Sequence, residues 1–220
     1  MKFFISFVFI ISAFTLAFGQ TDQSPMLEKE IRYKDWTYKN LNGGGETNLR
    51  QFLDGKKLVM VAYWSPWCPG WNRDAQFVQK MYAKYGANGL AVIGVAEYDI
   101  VEKMKQNYEQ NKLTFPSVFE SANMSERTGT AHYAARAAAG DTRKWGTPWY
   151  VFLEPAKTEA GGDVLENKPF VVNGELDRPD TEKFIRQKLG LGAGSVAAAA
   201  TGKKIEVCVP DAKIPALKKP

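Results

Sequence analysis

Residues 58–71 read Leu-Val-Met-Val-Ala-Tyr-Trp-Ser-Pro-Trp-Cys-Pro-Gly-Trp. The unbroken apolar run from Leu58 to Trp64 is what a strand covered on both faces requires, since alternate side chains enter opposite layers. From Trp71 the apolar positions fall at Ala75, Val78, Met81, Tyr82 and Tyr85, the spacing of an amphipathic helix that ends near Gly86. Cys68 thus stands where a buried strand gives way to a helix, with Pro69 at the first helical position, where its missing N–H costs nothing. A sulfur in that place faces backbone N–H groups without helical partners and the positive end of the helix dipole, both of which favour a thiolate. Its position marks Cys68 as a reactive thiol; the alternative reading is an inert core cysteine.

Working outward, Leu90 to Ala96 reads as a second buried strand, and Ile100, Met104 and Tyr108 give a second helix. Phe115 to Phe119 predicts a third strand, and the alanine-rich stretch from Ser125 to Ala139 a helix. Gly146-Thr147-Pro148 introduces a strand over Trp149 to Leu153, Phe170 to Val172 returns antiparallel to it, and a closing helix runs from Thr181 to Leu189 with Asp180 as its N-cap. Upstream, Asp35 to Asn48 combines β-forming residues with Gly43-Gly44-Gly45, a strand and hairpin turn, followed by a short helix from Leu49 to Leu53. The order implies an α/β fold: a mixed central sheet with flanking helices and an N-terminal hairpin.

Met1-Lys2, an uncharged run to Phe18 and small residues at Ala17 and Gly19 describe a secretory signal over 1–19, cleaved before Gln20; the alternative is an uncleaved N-terminal anchor, for which the stretch is short. An extension over 20–34, one domain over 35–189, a Gly/Ala linker over 190–202 and a tail over 203–220 with a short strand signal complete the organisation. Export places the protein outside the cytoplasm, in a periplasm or secreted. The net charge of +5 is too small to argue for nucleic acid, and beyond the export signal no segment is a membrane span. Cys68 and Cys208 are the only cysteines and His132 the only histidine, which leaves almost no material for zinc sites or for Ser-His-Asp and Cys-His catalysis. No metal or cofactor is expected.

The stretch from Lys57 to Trp71 resembles the strand-to-active-site segment of the thioredoxin superfamily, and within it the exported TlpA/ResA-like thiol–disulfide oxidoreductases, or redoxins. Gly94-Val-Ala-Glu97, Thr114-Phe-Pro116 and Gly146-Thr147-Pro148 are similar to later parts of that fold, so the likeness spans about Asp35 to Leu189. It implies a thioredoxin-like fold and an enzyme of cell redox homeostasis acting on disulfides of proteins or small thiols. It also implies a cis-proline loop facing Cys68, in which Thr147 offers backbone hydrogen bonds to an extended peptide and Pro148 shapes the groove. Glu97 would lie near Cys68 and assist proton transfer, or else be a solvated acid at a helix start.

The resemblance fails at one place: the family motif is Cys-x-x-Cys, and the second position here is Trp71. Without that thiol the attack–resolution cycle cannot close within the motif. Monothiol chemistry remains, completed by an external thiol or by Cys208 if the tail folds back. Trp67, Pro69, Trp71 and Trp145 are candidates to line an apolar substrate surface, with core packing the alternative for the tryptophans. Two further functions stay open. One is a redox-degenerate module that binds peptides in this groove. The other is a one-cysteine peroxidase, which needs a hydroxyl three residues before the cysteine, met by Ser65, and an arginine nearby, Arg73 or Arg143.

Overall fold

The computed structural model describes residues 23–192. The leader read at 1–19, nearly all of the linker read at 190–202 and the tail with Cys208 lie outside the described residues. The chain first forms three short strands, β1 (Gln23–Ser24), β2 (Leu27–Glu28) and β3 (Tyr33–Lys34), then β4 (Thr37–Asn40), β5 (Glu46–Asn48) and α1 (Leu49–Phe52). The middle consists of β6 (Leu58–Trp64), α2 (Pro69–Tyr85), β7 (Leu90–Ala96), α3 (Val101–Gln110), β8 (Ser117–Phe119) and α4 (Ala131–Ala138). β9 (Trp149–Leu153), β10 (Val164–Glu166), β11 (Phe170–Val172), β12 (Glu175–Leu176) and α5 (Arg178–Lys188) close it.

Eight strands make one sheet in the order β2-β11-β9-β6-β7-β8-β4-β5. β6 is central, parallel to β7 from Leu58 opposite Leu90 to Trp64 opposite Ala96, and antiparallel to β9 on its other side. All seven residues of β6 are buried. Leu58, Met60, Ala62 and Trp64 enter the core built with α2, α3 and α5, through Trp71, Val78, Met104 and Ile185 among others. Val59, Val61 and Tyr63 enter the opposite core with Leu49, Trp149 and Val151. Burying one such side chain contributes about 1.5–3 kcal/mol, so a strand covered on both faces is a rigid base for whatever its end carries. This is the predicted mixed sheet with flanking helices.

Four details differ from the sequence reading. Residues 23–34 are not an extension outside the domain: β2 is an edge strand of the main sheet beside β11, while β1 pairs with β12 and β3 with β10. Strands of two residues are too short to show periodicity. The helix predicted over Ser125 to Ala139 is split, since a 3-10 turn (Met124–Gly129) precedes α4 and Thr130 caps α4 by accepting the Tyr133 N–H at 3.0 Å. β8 starts at Ser117 rather than Phe115 because Pro116 has no N–H to donate to a ladder. The N-cap of α5 is Asp177, whose Oδ1 accepts the Asp180 N–H at 3.0 Å, with Pro179 in the first turn.

Gly94, inside β7, has no room for a side chain: an added Cβ would lie 2.8 Å from Ser117 Oγ, 2.9 Å from Trp64 Nε1 and 3.1 Å from Phe115 Cε2. Gly94→Ala is expected to destabilise the fold by about 1–3 kcal/mol through overpacking. A urea titration reads this as a lower midpoint at unchanged slope; an unchanged midpoint would mean the neighbouring rings move aside freely.

Candidate active site

Cys68 is the N-cap of α2, held by its own backbone: its N–H donates to Ser65 O at 3.0 Å and its carbonyl accepts Asn72 N–H at 3.1 Å. It is only 6% exposed, and its Sγ–H donates to the Thr147 carbonyl at 3.2 Å. Thr147–Pro148 is a cis peptide, and Thr147 Oγ1 lies 3.3 Å from Ser65 Oγ. Two segments 79 residues apart thus meet at the sulfur.

The facing loop is held by two arginines. Arg136 of α4, with a side chain 1% exposed, sits beneath it and donates to the carbonyls of Asp141 at 3.4 Å, Arg143 at 2.7 Å and Lys144 at 3.2 Å. Arg143 lies along the other side and donates to Gly146 O at 3.1 Å, Thr147 O at 3.4 Å and Pro148 O at 3.0 Å. The Asp141 carboxylate joins them, 2.7 Å from Arg143 Nη2 and 3.7 Å from Arg136 Nη1. Gly146 has φ +68°, and a Cβ there would collide with Arg136 Cδ at 2.3 Å, so both backbone and space demand glycine. The Thr147 carbonyl therefore accepts from Cys68 and Arg143 together, while its N–H donates to nothing among the described residues.

A groove of about 360 Å3 opens along this contact, and Trp67, Cys68, Pro69, Trp145, Thr147 and Pro148 line it with Arg73, Arg143, Lys144 and Glu175. Trp67 anchors its indole N–H on Tyr98 O at 3.2 Å and meets Trp145 edge to face at 5.2 Å. Trp71 is not in the groove. It is fully buried, stacked on Trp64 at 5.3 Å, with Nε1 donating to Asn107 Oδ1 at 3.1 Å, so its place on the substrate surface is corrected to a place in the core. Trp64 and Trp149, at the ends of β6 and β9, are also core residues.

Glu97 is neither solvated nor part of the groove lining. It is fully buried, and among the described residues its carboxyl oxygens meet no donor at hydrogen-bonding geometry, the Glu120 carboxyl being the acidic neighbour that acts on it. Burial, and then the negative charge of Glu120, pushes its pKa well above the usual carboxylate range, which favours the neutral acid. Sequence reasoning missed Asp74 of α2, which accepts Tyr150 O–H and Leu176 N–H, each at 2.9 Å, and whose pKa burial raises. It also missed Glu175, which takes two hydrogen bonds from Arg73 across 102 residues of chain and joins it on the groove wall. His132 is buried away from the groove, with Nδ1 2.8 Å from Tyr98 Oη. No helix among the described residues is long and apolar enough to cross a membrane.

Comparison with known proteins agrees with this architecture. The model of the AhpC/TSA family matches residues 31–141. A secreted thiol-disulfide isomerase from Corynebacterium glutamicum has a similar structure (TM-score 0.52, 18% identity, 71% of this chain and 84% of that one). So does a DsbF homologue from Corynebacterium diphtheriae (TM-score 0.51, 16% identity, 78% and 95%). A thioredoxin family thiol:disulfide interchange protein from Chlorobium tepidum TLS is similar too (TM-score 0.50, 15% identity, 76% and 99%). At these identities the likeness establishes a thioredoxin-like fold. No curated protein matches the chain.

The state of Glu97 has a measurable consequence. Its folded pKa lies above its unfolded value, so the folded chain binds the extra proton and stability falls as pH rises past the ordinary carboxylate range, near 4.5. Glu97→Gln removes this term. Melts of both proteins between pH 4 and pH 8 should show wild type losing up to about 1.4 kcal/mol per pH unit relative to the variant; parallel curves would place an ionised carboxylate at position 97.

Proposed function

The chain belongs to the AhpC/TSA family, and from that premise we propose that it is an exported thiol–disulfide oxidoreductase of monothiol type with Cys68 as its nucleophile. One observation carries the reading: the Cys68 sulfur sits at the head of α2, on the wall of a groove, against the carbonyl that precedes cis-Pro148. Export rests on the leader read at 1–19 and is supported by the secreted isomerase of like fold from Corynebacterium glutamicum.

In the first step the deprotonated Cys68 sulfur attacks one sulfur of a substrate R–S–S–R′. The Cys68–S–R bond forms, the R–S–S–R′ bond breaks, and R′–S⁻ leaves with the electron pair and takes up a proton. Trp71, packed against Trp64, has no sulfur to resolve this intermediate. An external thiol R″–SH therefore attacks the R sulfur, releasing R–S–S–R″ and regenerating Cys68. If Cys208 reaches the mixed disulfide instead, R–SH leaves and a Cys68–Cys208 bond forms, which the external thiol then reduces. The Thr147 N–H, free of any partner among the described residues, suits the backbone of a bound peptide, with Trp67 and Trp145 as walls and Pro69 and Pro148 shaping the opening. Glu97, whose N–H donates to Trp64 O at the end of the strand leading to Cys68, is the residue proposed to assist proton transfer.

A second reading, a one-cysteine peroxidase, draws on the buried Ser65 hydroxyl near Thr147 and on Arg143 in the groove wall. The same assay separates the two, and the binding module from both. Reduced Cys208→Ser protein is mixed with bis(2-hydroxyethyl) disulfide, or with hydrogen peroxide, quenched in acid and weighed. The oxidoreductase gives a one-to-one mixed disulfide that a further Cys68→Ala change abolishes. A sulfenic acid formed rapidly from peroxide, with slow disulfide exchange, would transfer the assignment to the peroxidase. A thiol inert to both leaves only a peptide-binding role.

A further inference from the structure

The loop that faces Cys68 carries more positive charge than its carboxylates cancel. Asp141 is one negative charge set between two guanidiniums, at 2.7 Å from Arg143 and 3.7 Å from Arg136, so this buried triad retains one positive charge directly behind residues 146–148. Arg143 delivers part of it to the groove wall, where its side chain is 30% exposed. Lys144 adds another in the groove lining, and Arg127, which donates to the Lys144 carbonyl, lies outside that lining; each is 5.5 Å from the Trp145 ring. No carboxylate among the described residues forms an ion pair with either of them. On the opposite wall Glu175 is matched by Arg73. Among the described residues Glu175 is the one acid lining the groove and it is paired, while Arg143 and Lys144 line it without a carboxylate of the groove to match them.

We propose that the disulfide this groove receives is anionic: a small peptide-like disulfide bearing carboxylates, with its apolar part against Trp67 and Trp145 and its carboxylates toward Lys144 and Arg143. The inference rests on the oxidoreductase reading and names its substrate class. The physical need is specific to this chemistry. A thiolate attacking an anionic disulfide works against like charge, and that charge then passes to the departing sulfur, so fixed cations beside the reacting sulfurs favour both approach and departure. The groove, at about 360 Å3, suits a molecule of a few residues. Rim charges act through partly solvated space, so their effect is moderate and falls with salt.

The test compares three probes of different charge with the reduced Cys208→Ser protein: oxidised glutathione (anionic), bis(2-hydroxyethyl) disulfide (neutral) and cystamine (cationic). The rate of mixed-disulfide formation at Cys68 is divided by the rate of 2-mercaptoethanol with the same probe, which removes intrinsic reactivity. The normalised rates are expected to fall from anionic to neutral to cationic, with about tenfold between the ends. Half-molar sodium chloride should compress that span, and Lys144→Glu should shrink or invert the anionic-to-cationic ratio. The ratio is internal to each protein, so a partly unfolded variant does not mimic the effect. Equal normalised rates, or a span indifferent to salt and to Lys144→Glu, overturn the inference and leave the oxidoreductase intact. Failure to exchange with all three probes removes the reaction, and the substrate class with it.

Discussion

A guanidinium with almost no access to water must be given acceptors by the protein, and Arg136 takes them from the main chain of residues 141–144. That requirement shapes the loop. Asp141 balances Arg136 and passes the constraint to Arg143, which gathers the three carbonyls around the cis peptide. One of those carbonyls accepts the Cys68 thiol. The sulfur is thus positioned from two directions, by the rigid strand-to-helix corner in which it lies and by a loop shaped around a buried cation. The corner is held by hydrophobic burial and the loop by charge-assisted hydrogen bonds, which are individually stronger and more directional than neutral ones.

What the sequence made legible follows the same division. β6, α2 and β7 were readable because a strand buried on both faces and an amphipathic helix each leave a regular apolar pattern. Cys68 and Gly146-Thr147-Pro148 stood out through their places relative to those elements. The arginine–aspartate triad left no such trace, since a charged residue in a loop looks the same whether it faces water or a buried carbonyl. The Arg73–Glu175 pair was hidden by the length of chain between its members. Trp71 is a different kind of miss. Trp71, Ala75 and Val78 stand four and three residues apart, and that spacing already puts the indole on the core stripe of α2. The helical periodicity therefore points to the core, whereas the residue's place in the motif beside Cys68 points to the groove, and packing decides. Residues 23–34 were lost because short strands depend on partners far along the chain.

The tryptophan at position 71 also bears on which side chains the head of α2 can accept. Its indole fills the space between Trp64 and Asn107 and satisfies the amide oxygen of Asn107. A cysteine placed there would leave a void costing about 3–5 kcal/mol, comparable to losing a whole core aromatic, and would leave the Asn107 amide oxygen with only the Asn111 side-chain amide as donor. A second thiol at this position would therefore need the surrounding core rebuilt around it, so the interior of the fold, and not the chemistry at Cys68, sets what position 71 can hold.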